Sequence, residues 1–182
     1  NLSLSLLRRQ LPRQREPFFL LPRAAIEILP AAGGRFYNRP YGCGASVADI
    51  QAIDRQYNSE TADSFDLAHY DIVIDAIDMV DCKALLLYRA TQAGCKVYSS
   101  MGAGRKTDPQ KIRTAEFWKV QGCPLARALR TKMKKTGLLP KSKIQCVYSE
   151  EISGDKGTLA PVVGIFGMTL ASLVINELTL AH

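Results

Sequence analysis

A chain of 182 residues, 47% hydrophobic and 23% charged, is long enough for one domain with its own core and too apolar for a disordered tail. Its net charge of +7 favours a polyanionic partner, either nucleic acid or an anionic membrane surface. Five scattered cysteines (Cys43, Cys82, Cys95, Cys123, Cys146) with no CxxC pair exclude a disulfide framework and a four-thiolate zinc site, and they fit a reducing, cytoplasmic setting.

Residues 1–52 read as an irregular or divergent segment. Pro12, Pro17, Pro22, Pro30 and Pro40 interrupt helices and central strands alike, and one short helix between Leu21 and Pro30 is the most the pattern offers. Gly33-Gly34 and Gly42-x-Gly44 do not stand between a strand and a helix with the spacing of a phosphate loop. From Ile53 the chain becomes coherent, and 53–182 reads as one α/β unit. Asp54–Leu67 is expected to be a strand end and loop, with Asp63 or Ser64 as caps.

Tyr70–Asp78, YDIVIDAID, has the apolar, β-branched run of a buried parallel strand with carboxylates at its carboxyl end, the edge where open α/β sheets bind ligands. Val80–Gly94 reads as a helix with Leu85, Leu86 and Tyr88 on its apolar stripe and Gly94 as its stop. Cys95–Gly104 is the next strand, running into a glycine loop whose Gly102 and Gly104 allow close backbone approach to a ligand. Strand, helix and strand together make a βαβ unit with parallel strands.

The chemistry concentrates at that strand end. A carboxylate at Asp78, in the turn after the strand, is placed to hold Mg²⁺ against nucleotide phosphates, and Lys83 to supply positive charge to a developing anion. Asp81 and Asp108 read instead as helix caps. His69 alone would have to serve a nucleophilic triad, and no nucleophile turn accompanies it.

From Arg105 to Lys143 there are twelve basic residues against two acidic ones, Asp108 and Glu116. Within this stretch Cys123–Gly137 is a helix with Leu125, Leu129 and Met133 at fourfold spacing and basic residues around the rest, suited to a phosphate backbone. Lys143–Glu151 reads as another strand. Leu159–Asn176 carries no charge, and its Pro161, Gly164 and Gly167 suit a helix packed on a sheet; membrane association through 159–180 is the alternative.

Taken in order, YDIVIDAID…CK, GCKVYSSMGAGRKTDPQKI, CPLARALRTKMKK, CVYSEE and PVVGIFGMTLASLVINEL resemble the tRNA threonylcarbamoyladenosine dehydratase family of the ThiF/MoeB, ubiquitin-activating-enzyme-like superfamily. The resemblance implies an incomplete Rossmann-like ThiF/MoeB-type α/β sheet with flanking helices. It implies ATP and Mg²⁺ as cofactors, and tRNA as a partner held through the basic segment. The activity implied is ATP-dependent cyclisation of threonylcarbamoyladenosine through an adenylylated carboxylate. It also implies a homodimer, and links to sulfur-acceptor or cysteine-desulfurase partners. Asp78 matches the superfamily aspartate beside the metal and phosphates. Arg9 matches a phosphate-binding arginine, with both asparagines of that motif absent from NLSLSLLRRQLP. The family's first strand, glycine-rich phosphate loop and ribose-binding acid have no counterpart, so the chain reads as a fragment whose early part is divergent or frame-shifted. A sulfur-carrier adenylyltransferase, or a non-enzymatic tRNA-binding or membrane-associated remnant, are the rival readings.

Overall fold

The computed structural model describes the backbone of Phe18–Pro22 and then residues 53, 55–152 and 157–180. Within it, β1 (Phe18–Pro22), β2 (Tyr70–Asp75), β3 (Lys96–Ser100), β4 (Ile112–Glu116) and β5 (Ile144–Ser149) form one sheet in the order β1-β2-β3-β5-β4. β2, β3 and β5 run parallel, as the βαβ reading requires, and β1 and β4 close the two edges antiparallel. The helices are α1 (Val80–Gln92), α2 (Pro124–Thr136) and α3 (Ala160–Leu180).

Two edge strands depart from the sequence reading. β1 lies in the segment read as irregular; its Pro22 stands where the register to β2 shifts, at an edge, where a missing N–H costs no ladder bond. β4, with the sequence IRTAE, is half-exposed and polar, so it lacks the apolar signal that marks a central strand.

Strand periodicity sorts the core into two layers. Val73, Val97, Ile144 and Cys146 face α1 and α2, where they meet Leu86, Leu87, Leu129 and Met133. Ile72, Tyr98 and Val147 face the other way, onto Val162, Phe166, Leu170 and Val174 of α3. The buried stripe of α1 runs through Lys83, Ala84, Leu86, Leu87, Ala90 and Thr91; Leu85 and Tyr88 are only half-buried, so the face is rotated from the one expected. Gly94 stops α1 in the left-handed region at φ +87, with Cys95 N–H closing back onto the Ala90 carbonyl. Gly137 does the same for α2 at φ +73.

The segment α3 is long and apolar enough to cross a membrane by length and composition. In this fold it lies on the sheet through a single i, i+4 stripe, as the sheet-packed reading expects. Its other sides leave Met168 70% and Ile175 43% exposed.

Candidate functional site at the carboxyl edge of the sheet

The parity that puts Val73 in the α1 layer puts Asp75 there too, at the last position of β2. Asp75 is fully buried and faces Ser99, its register partner on β3. Ser99 Oγ donates to Asp75 Oδ2 at 2.6 Å, and Lys83 Nζ, reaching in from the first turn of α1, lies 2.6 Å from the same oxygen. Lys83 also donates to the carbonyls of Ile77 at 2.9 Å and Ser100 at 2.8 Å. Asp75 Oδ1 accepts the Ile77 N–H at 3.0 Å. All three ammonium hydrogens and both carboxylate oxygens are therefore engaged, which is the condition for a buried ion pair to be tolerated.

This corrects the expectation for Lys83. It has no exposed surface and no donor left for a phosphate, so its charge serves the scaffold. Its effect on the site is positional: Asp75 holds the amide of Ile77, Lys83 holds its carbonyl, and the next residue is Asp78. Asp78 is exposed in the turn between β2 and α1, and its carboxylate makes no hydrogen bond or ion pair among the described residues. Cys146, next to Ser99 in register on β5, has its thiol pKa pushed well up, chiefly by burial, against the opposing pull of Lys83.

The glycine loop after β3 opens onto the same edge. Neither Gly102 nor Gly104 has a positive φ, and a Cβ would meet nothing nearer than Leu125 Cβ at 3.6 Å or Thr158 Oγ1 at 3.8 Å. The protein itself does not demand glycine at either position. The left-handed residue of this loop is Arg105, at φ 61. Arg9 lies outside the described residues.

Past the loop, Glu151 fastens the chain in a way the sequence did not reveal. Its carboxylate accepts from Thr107 N (2.8 Å), Thr107 Oγ1 (2.7 Å) and Asp108 N (2.9 Å), and buried Lys106 donates to its carbonyl. These bonds, first those to the Asp108 amide and Thr107, hold its pKa down at about 2. A depressed folded pKa stabilises the fold above the ordinary carboxylate range and is lost as pH falls from about 4.5 toward 2. We therefore expect Glu151→Gln to lower the thermal midpoint at neutral pH, with the gap from the unmodified chain narrowing between about pH 5 and pH 3. A gap of constant size across that range would remove the latch.

Other expectations resolve differently. Asp108 caps a short turn by accepting from Gln110 N at 2.9 Å, as read. Asp81 does not cap α1: the capping position is Met79, without a side-chain bond, and Asp81 instead meets Lys132 of α2 at 2.7 Å. Asp63 pairs with Arg89, and the cap before β2 is Asp66. His69 pairs with Asp66 at the amino end of β2, away from the Asp78 edge. Two surface depressions, one bordered by Asp66 and Arg89 and the other by Asp71 and Glu177, also lie at that opposite end. No cluster of three metal-ligating side chains occurs among the described residues.

Parallel strands under helices on both faces make an open α/β sheet, the architecture that binds ligands at the carboxyl edge of its strands, and at that edge Asp78 stands exposed and without a partner among the described residues. No protein-family model matches the chain. It is 34% identical over 113 residues to the tRNA threonylcarbamoyladenosine dehydratase of Bacillus subtilis, covering 59% of this chain and 44% of that one. It is 44% identical over 81 residues to tRNA threonylcarbamoyladenosine dehydratase 2 of Saccharomyces cerevisiae, covering 44% of this chain and 18% of that one. The chain thus spans less than half the length of these curated relatives. Among solved structures, the Escherichia coli dehydratase in complex with ATP superimposes with a TM-score of 0.64 at 26% identity, covering 71% of this chain and 56% of that one. Over its carboxyl-terminal three-fifths, this chain is homologous to the tRNA threonylcarbamoyladenosine dehydratases.

Proposed function

We propose that the chain contributes the Asp78 side of an adenylating site for ATP-dependent dehydration of threonylcarbamoyladenosine in tRNA. The observation that carries this reading is the exposed Asp78 carboxylate, unpartnered among the described residues and set by the Asp75–Lys83 clamp, in the part of the chain homologous to the dehydratases. A single carboxylate suits Mg²⁺ that takes most of its ligands from phosphate oxygens and water, and no all-protein metal cage is needed. When bound, the ion would neutralise phosphate charge. Asp78 would hold it, Gly102 and Gly104 would let the backbone approach the nucleotide, and Arg9 would meet a phosphate.

In this reaction the carboxylate of the modified nucleoside attacks the α-phosphorus of ATP and pyrophosphate leaves. The resulting acyl-adenylate closes on itself and releases AMP. The sum is loss of one water from the nucleoside at the expense of one ATP. The cytoplasm and a homodimeric assembly are the setting this reading proposes. The test is incubation of the chain with ATP, Mg²⁺ and tRNA bearing threonylcarbamoyladenosine, followed by mass analysis of the nucleosides. Cyclised product with matching AMP supports the reading; transfer of AMP to a carrier-protein tail instead would replace it with sulfur-carrier adenylylation.

A further inference from the structure

The basic residues between Arg105 and Lys143 divide by what they already hold. Lys111 pairs with Asp108, Arg113 with Glu150 and Lys132 with Asp81, and Lys106 is buried against the Glu151 carbonyl. Arg130 donates to the carbonyls of Phe117 and Val120, both at 3.0 Å, and lies 5.9 Å from the Phe117 ring centre. That leaves seven exposed and without a carboxylate partner among the described residues: Arg105, Lys141 and Lys143, and the group formed by Lys119, Arg127, Lys134 and Lys135 on α2 and the turn before it. Arg127 and Lys134, seven positions apart, share one flank of α2 beside its buried Ala126, Leu129 and Met133, and Lys135 lies about 100° further round, away from that stripe.

Beside them stands Trp118, on the turn after β4. It is 41% exposed, and its edge rests on the fully buried Phe117 ring at 5.1 Å. Lys134 Nζ lies 5.7 Å from the indole centre. An exposed indole packed on a buried ring, with one cation beside it and further unpaired cations on the neighbouring helix, suits unpaired bases: the ring stacks a base while the cations take the flanking phosphates.

We propose that Trp118, with Lys119, Arg127, Lys134 and Lys135, is a landing site for a single-stranded RNA loop. The inference rests on the RNA half of the proposed function and not on its chemistry. Trp118 is the only tryptophan of the chain, so its emission reports the contact directly. The probe is an RNA stem-loop with a seven-base loop, set against a blunt RNA duplex of equal length, titrated without ATP. The loop RNA is expected to quench the emission and the duplex to leave it unchanged. Trp118→Ala should weaken loop binding about 5- to 150-fold, with Trp118→Phe recovering most of the loss. Lys134→Ala with Lys135→Ala should lower the slope of log affinity against log salt by about 1.4. All these positions are exposed, and circular dichroism checks that each variant folds. Equal quenching by duplex and loop, or a Trp118→Ala variant that binds as before, overturns the site. Quenching without cyclisation leaves the site standing and removes only the catalytic reading.

Discussion

Lys83→Met is expected to cost about 3–5 kcal/mol of folding stability, because it strands the carboxylate of Asp75 in a layer with no access to water. Against a total of about 5–15 kcal/mol for a typical domain, that loss removes a large share of the stability margin. The side chains are of similar length, so the penalty comes from the unpaired charge and the two freed carbonyls of Ile77 and Ser100, not from a cavity. A double-mutant cycle separates the pair from its surroundings. Asp75→Asn alone removes the anion but leaves the ammonium buried; combining it with Lys83→Met leaves a neutral amide beside an apolar chain. The double variant should therefore be more stable than the sum of the single losses implies, with a coupling of about 1–3 kcal/mol. Urea denaturation of the four proteins measures it. A Lys83→Met variant within about 1 kcal/mol of the unmodified chain would mean that the clamp is not closed as described.

The legible parts of this fold were those with a strong local period. The helix ended by Gly94 and the α2 helix ended by Gly137 each carry an apolar repeat and a glycine stop and stand within a residue or two of their expected bounds, while the apolar run from Tyr70 made a strand that ends at Asp75, three residues before the expected Asp78. β1 and β4 were not legible, since an edge strand needs only one covered side and tolerates proline, charge and threonine. The site was legible by residue type but not by role. Asp75, Asp78, Asp81 and Lys83 stand close together in sequence, yet one is a buried anchor, one a free carboxylate, one a surface partner of Lys132 and one the clamp's cation. A signal was present: Asp75 shares the parity of Val73, so it had to point into the α1 layer, where an unpaired carboxylate would be intolerable. Glu151 and Trp118 gave no such signal, because their partners come from segments distant in sequence or adjacent only by way of a turn.

Asp78→Asn is expected to separate function from folding at this edge. Asp78 is exposed and holds nothing among the described residues, so its replacement should change stability by no more than about 0.5 kcal/mol. The amide retains one neutral acceptor oxygen but loses the charge that a hard divalent ion requires. In the cyclisation assay, turnover should therefore fall about 100-fold or more, equivalent to about 2.7 kcal/mol of lost transition-state stabilisation. RNA affinity should stay where it was, since the proposed RNA contacts lie on α2 and the Trp118 turn. Raising Mg²⁺ should recover part of the rate if the carboxylate acts by holding the ion, and none if it acts on a proton. The comparison with Lys83→Met is what gives the experiment its force: that variant shifts stability through the clamp, whereas Asp78→Asn lowers turnover with the clamp intact. Unchanged turnover in a folded Asp78→Asn chain would deny this carboxylate its role, and with it the observation on which the adenylating reading rests.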